Sequence, residues 1–134
     1  MQNIHKAGAM IVKGNKLLLT RSKGKSVFYW PGGKYEPADN KDPGACLRRE
    51  LKEELGVELK SFKHYRTYSF NTGDYADRNL LLELYFVEFT GEPKPCSEIE
   101  ELCWFSAEDF IKRIKELPSS YITVVPDLIE DKII

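Results

Sequence analysis

Cysteine is scarce in this chain, and the three present, Cys46, Cys96 and Cys103, show no C-x-x-C spacing. An odd, scattered set is neither a disulfide framework nor a zinc site, so these read as reduced thiols in a cytoplasmic protein. A free cysteine generally behaves as a small apolar residue rather than a nucleophile. Histidine is scarcer still, and His5 and His64 have no metal-ligand spacing. Charge of one sign is also lacking. Lys and Arg number 20 against 21 Asp and Glu, a formal net charge of -1. No broad basic field exists to hold a nucleic-acid polymer. No apolar run approaches the roughly 20 residues that cross a bilayer. The opening MQNIHKAGAM has no signal-peptide h-region. Repeats, low-complexity tracts and inter-domain linkers are missing as well. What is present is an ordinary globular balance, 42% hydrophobic and 31% charged over 134 residues. That suffices for one domain, 1–134, with a real core.

Turn residues punctuate the chain. AGAMIVKGNKLLLT reads as two strands around a Gly14-Asn15 hairpin turn. SVFYWPGGKYEP starts extended and breaks at Pro31-Gly32-Gly33. A helix follows, with Asp42 as N-cap, Pro43 at the first position and Gly56 as the stop. FKHYRTYSF and ELCWF are candidate strands, and the apolar NLLLELYFVEF is a central one. AEDFIKRIKEL is helical, opened by a near capping box at Ser106 and Asp109. A last short helix is expected near Pro126. Strands alternating with two or three helices predict a mixed α/β or α+β sandwich.

The helix that starts at Pro43 carries an anomaly. Leu47, Leu51 and Leu55 recur every four residues as one buried stripe. Glu50, Glu53 and Glu54 fan away from one side of it, at the end of the helix. Acids in a last turn oppose the macrodipole by about 0.3–1 kcal/mol each. Glu50 and Glu54 are also a like-charge pair at i, i+4. An Arg49–Glu53 pair of about 0.3–0.5 kcal/mol does not offset this. Negative charge gathered at local expense is what a hard divalent cation requires, and Mg²⁺ takes carboxylates, water and substrate phosphates. The Gly32-Gly33 turn just before the helix can bring backbone groups against a metal or phosphate.

These residues resemble the Nudix box: Gly, five residues, Glu, seven residues, then Arg-Glu-U-x-Glu-Glu-x-Gly-U, with U aliphatic. Arg49, Glu50, Leu51, Glu53, Glu54, Gly56 and Val57 match every specified position of the second half, and Gly33 matches the leading glycine. The first half departs. Asp39 stands where the first Glu would be, and nine residues separate it from Arg49. Asp39 or Asp42 takes the role of that Glu, which in the family pairs with the motif Arg and braces the loop.

The resemblance implies a mixed sheet sandwiched between helices, with the box as a loop–helix–loop. It implies hydrolysis of a nucleoside diphosphate linked to a moiety X, with Mg²⁺ as cofactor and Mn²⁺ as a possible substitute. Glu50, Glu53 and Glu54 match family metal ligands, the carbonyl of Gly33 can join them, and Arg49 braces the box. A further acid is expected from SEIEE, where Glu98, Glu100 and Glu101 are candidates and Glu100 is taken as a ligand. Arg21 and Lys34 are candidates for phosphate, and Phe28 and Tyr75 for the base. The favoured substrate is a nucleoside triphosphate cleaved to monophosphate and pyrophosphate, as in the MutT-like branch. Dinucleoside polyphosphates, nucleotide sugars and a non-catalytic nucleotide-binding module are the alternatives. The partner is a small nucleotide, with no nucleic-acid polymer and no membrane, and the chain is a monomer or homodimer.

Overall fold

The computed structural model describes residues 2–71 and 78–134. The elements run β1 (Gln2–Met10), β2 (Val12–Lys13), β3 (Lys16–Ser22), β4 (Phe28–Tyr29), β5 (Gly32–Lys34), α1 (Pro43–Leu55), β6 (Glu58–Phe70), β7 (Arg78–Thr90), β8 (Ile99–Phe105), α2 (Ala107–Lys112) and α3 (Tyr121–Glu130). One sheet has the order β5-β1-β7-β6, with β1 and β7 parallel and the other neighbours antiparallel. The second holds β2, β3 and β4, with β8 antiparallel to β3.

The expected hairpin forms at Gly14 and Asn15, both left-handed at φ 58 and 59, as a two-residue turn of this kind requires. Its first strand is not continuous. The chain breaks at Ile11, leaving β1 in one sheet and β2 in the other. NLLLELYFVEF lies within β7, the strand flanked by β1 and β6, as its apolar character predicts.

Side-chain alternation along β1 and β7 splits the core in two. Ala7, Ala9 and Ile11 face α1, whose Leu47, Leu51 and Leu55 are fully buried. Ile4, Met10, Leu80, Leu82 and Leu84 face the other way, onto Phe110, Tyr121, Val124 and Leu128. The sheet is thus covered on both faces.

The helix at Ala107 is shorter than its pattern. It ends at Lys112 and continues as a tight turn over Ile114–Glu116. The last helix begins at Tyr121, ahead of its expected start, and encloses Pro126. The buried stripe of Tyr121, Val124, Val125 and Leu128 holds it together, outweighing the hydrogen bond that the proline cannot donate. No helix among the described residues is long and apolar enough to cross a membrane.

Candidate active site

Helix α1 is built as its caps dictate. Asp42 accepts the backbone N–H of Gly44 at 3.0 Å, Pro43 opens the first turn, and Gly56 closes the helix at φ 69. With the leucine stripe against the sheet, the next face round lies against β5. The Pro31-Gly32-Gly33 turn is drawn close by small neighbours. Ala9 donates its N–H to the Pro31 carbonyl at 2.7 Å. A Cβ on Gly32, which sits at φ +128, would lie 2.2 Å from the Ala7 carbonyl oxygen. A Cβ on Gly33 would lie 2.6 Å from Glu50 Oε1. The glycines therefore let the acids of α1 touch the backbone of β5.

The three acids have different surroundings. Glu54 Oε1 accepts the Gly32 N–H at 3.0 Å. Burial pushes its carboxyl up to about 8, partly opposed by that hydrogen bond and reinforced by the charges of Glu50, Glu98 and Glu53. Glu50 is also raised, first by burial, while Arg49 Nη1 at 2.7 Å pulls the other way. Glu53 is exposed. Among the described residues no three His, Cys, Asp or Glu side chains are already gathered about one point for a metal ion. The donor set is all hard oxygen, which suits Mg²⁺ or Mn²⁺ over soft metals. Two half-buried carboxylates raised by burial and by the charge of neighbouring acids are what a cation would relieve.

Arg49 settles which aspartate replaces the missing glutamate. Its Nη2 lies 2.8 Å from Asp39 Oδ2 and 3.2 Å from the Lys34 carbonyl. Asp39 is only 4% exposed, and the guanidinium together with the Glu36 N–H holds its carboxyl below the usual range. Asp42 instead caps α1. The longer loop is taken up by a tight turn at Pro37–Asp39 and by Asn40 and Lys41, both left-handed at φ 51 and 60.

The acids at the start of β8 divide between Glu98, in the loop before it, and Glu100 and Glu101, within it. The C-terminal carbonyls of α1 are satisfied by this loop, with the Lys94 N–H on Leu55 and the Cys96 N–H on Glu54. That docks the loop at the end of the acidic helix, and the charge of Glu98 acts on Glu54. Glu100 and Glu101 instead bond Arg21 at 2.9 and 3.1 Å. Two expectations are corrected together. Glu100 is an ion-pair partner rather than a group facing the box. Arg21, whose Nη1 also donates to the Lys25 carbonyl at 3.0 Å, ties strands and loop together rather than facing a phosphate.

Phe28 is corrected too. It is 2% exposed and packs on Phe105 and beneath Arg113, so it has no surface for a base. Of the two aromatic residues after it, Tyr29 is 42% exposed and Trp30 is buried, and both line a cavity that reaches Gly32 and Gly33. Alternation along an extended segment turns Phe28 inward and Tyr29 outward, since only one of two neighbouring side chains can face the core. Lys34 is exposed and pairs in register with Lys6 across β5 and β1. Tyr75 lies outside the described residues. Cys46 is buried, its thiol pushed up to about 12 by burial, which makes it inert.

The NUDIX domain model matches residues 4–128. The chain belongs to the NUDIX family. It is a Nudix hydrolase, and enzymes of this family are in general dependent on divalent metal ions. It is 31% identical to an 8-oxo-dGTP diphosphatase of Proteus vulgaris over 106 residues, covering 72% of this chain and 90% of that one. The E. coli ORF135 protein superposes with a TM-score of 0.74 at 25% identity, covering 97% of this chain and 91% of its own. A MutT protein from Methanosarcina mazei Go1 has the same fold, with a TM-score of 0.78 at 19% identity over 97% of this chain and 95% of that one.

Proposed function

We propose that this Nudix hydrolase cleaves nucleoside triphosphates to monophosphate and pyrophosphate, using Mg²⁺ held by Glu50, Glu53, Glu54 and the Gly33 carbonyl. The observation that carries the reading is the approach of Glu50 and Glu54 to the Gly32-Gly33 backbone, with Arg49 and Asp39 bracing them. The 8-oxo-dGTP diphosphatase relative supports a triphosphate over a dinucleoside polyphosphate or nucleotide sugar, and an oxidised purine nucleotide is the first substrate to test.

When bound, the divalent ion neutralises phosphate oxygens and lowers the pKa of water. The chain's own part is positioning and charge. Arg49, fixed by Asp39 and Glu36, holds the box loop against α1. Lys34, exposed and the residue after Gly33, is the cation we assign to a substrate phosphate. Glu98, carried to the end of α1 by its loop, is the acid we assign to removing the proton of the attacking water. Water attacks one phosphorus, the anhydride bond breaks, and the proton passes to this carboxylate.

The test is a panel of triphosphates, dinucleoside polyphosphates and nucleotide sugars with Mg²⁺ and then Mn²⁺. Pyrophosphate release from triphosphates is the expected result. Release of phosphate or nucleotide only from the other two classes would move the substrate, and no turnover of any member would favour a binding module.

A further inference from the structure

From Leu80 to Val87, strand β7 carries a single charge, Glu83, half-buried between Leu82 and Leu84. No step of the hydrolysis uses it. Its Oε1 accepts the hydroxyl of Tyr35 at 2.5 Å and that of Tyr85 at 3.0 Å, and its Oε2 lies 3.1 Å from His5 Nε2. Burial raises the Glu83 carboxyl, but Tyr35, His5 and Tyr85 together outweigh this and hold it below the usual carboxylate range. A charge in such a place persists only with partners of this kind. Tyr35 is fastened twice more. Its N–H donates to the His5 carbonyl at 3.0 Å, and its ring centroid lies 4.2 Å from that of the His5 imidazole.

Tyr35 stands two residues beyond Gly33, at the exit of β5. That strand is an edge of its sheet and has three residues, Gly32–Lys34. A segment with so few backbone partners is held weakly by its ladder alone. In register, Gly33, Ala7 and Glu83 form one row across β5, β1 and β7. Glu83 therefore ties the exit of β5 to the central strand, while Arg49, bonded to the Lys34 carbonyl and to Asp39, ties it to α1. At the other end of β5, the Gly32 N–H meets Glu54 and Gly33 lies against Glu50. Resting on the metal-dependent hydrolase reading above, we infer that Glu83 is a positioning residue: through the Tyr35 hydroxyl it fixes β5, and with it the glycine backbone against which the metal-holding acids rest. Glutamine in its place still offers an oxygen to the two hydroxyls, and its amide can donate to a neutral imidazole nitrogen. Leucine offers neither.

The experiment measures kcat, KM and the Mg²⁺ concentration for half-maximal rate in wild type, Glu83→Leu, Glu83→Gln, Tyr35→Phe and the double variant Tyr35→Phe/Glu83→Leu. Glu83→Leu and Tyr35→Phe should each lower kcat and raise the Mg²⁺ requirement by about 10-fold, the low end for groups that orient ligands from behind, with KM for the nucleotide within about threefold. Glu83→Gln should return both constants to within about threefold of wild type. The double variant should lose no more than Glu83→Leu alone, because the two residues act through one contact. A lower melting temperature with kcat and the Mg²⁺ requirement unchanged is the mark of a merely structural role and overturns the inference. Additive losses overturn the route through Tyr35, and a glutamine variant no better than leucine overturns the hydrogen-bonding role. Should Glu83→Leu not fold, Tyr35→Phe, which deletes one hydroxyl and keeps the ring, decides alone on the same readings. A wild type that turns over no nucleotide overturns the functional reading instead. The positioning is then read from calorimetric binding of Mg²⁺ without substrate. Binding about 10-fold weaker in Tyr35→Phe and Glu83→Leu, and restored in Glu83→Gln, upholds it; equal affinities, or no binding by any of them, overturn it.

Discussion

Arg49 reaches back ten positions along the chain to set its Nη2 2.8 Å from Asp39 Oδ2, while its Nη1 holds the neighbouring Glu50 at 2.7 Å. One guanidinium thereby joins the loop to an acid of α1. Asp39→Ala leaves the arginine free to pull on Glu50. Kinetics on the best triphosphate should show a loss of about 10–100-fold, the range for groups that orient ligands from behind. Asp42→Ala, which removes only the helix cap, should cost about 1 kcal/mol in a denaturant melt and leave kcat within a few-fold.

Glu53→Gln and Glu54→Gln should each lower turnover by several orders of magnitude while circular dichroism stays native. Near-normal turnover in both would remove the metal role assigned to the box.

Glu98, in the loop, and Glu100, in β8, separate a base from an ion-pair partner. Glu98→Gln should lower kcat by about 100-fold or more, within the range for general catalysis. Glu100→Gln weakens only an exposed pair with Arg21 and should change kcat less than about threefold. The reverse pattern would reassign the base.

Stability of the metal-free protein should fall as pH rises toward about 8. Burial holds the Glu54 carboxyl up to about 8, against 4.5 as its ordinary value. Between these values the unfolded chain has released a proton that the native state keeps, so stability declines with pH. Below 4.5 both states are protonated and Glu54 contributes nothing. Glu54→Gln removes this slope, so wild type should melt progressively lower relative to the variant across that window in EDTA. Mg²⁺, which favours the ionised carboxylate, should raise the wild-type melting temperature more at pH 8 than at pH 5. Parallel melting curves for the two proteins would refute the assignment.

Gly33→Ala places a methyl 2.6 Å from Glu50 Oε1. The expected effect is a destabilisation of about 1–3 kcal/mol, as for other overpacking, with activity lost through the displaced carboxylate. Retained activity with unchanged melting would show that Glu50 has room to move.

Much of this was readable in advance wherever local chemistry and packing agree. Asp42, Pro43 and Gly56 bound α1 as caps, and Leu47, Leu51 and Leu55 chose its buried face. The acids then had to follow. Pairing across the chain was not readable in that way. The choice between Asp39 and Asp42 depended on a loop with two consecutive left-handed residues, of which local propensity announces Asn40 but not Lys41. The choice between Glu98 and Glu100 depended on hydrogen bonds to the end of a helix forty residues earlier in the chain. Phe28 and Tyr29 differ only in which side of a two-residue strand faces inward, and one step of register exchanges them. Pro126 misled because the tertiary contacts of Tyr121, Val124 and Leu128 extend a helix through it.

Strand β1 supplies no acid and no base, yet its run Ala7-Gly8-Ala9 sets how near the glycine turn can come. A methyl on Gly8 would meet Leu84 at 2.9 Å and Trp30 at 3.4 Å. Ala7 and Ala9 are shielded between the turn and α1. Evolutionary drift in this enzyme should accordingly be slowest at three inconspicuous small residues, and a mutagenesis screen for lost function would recover them as often as the carboxylates themselves.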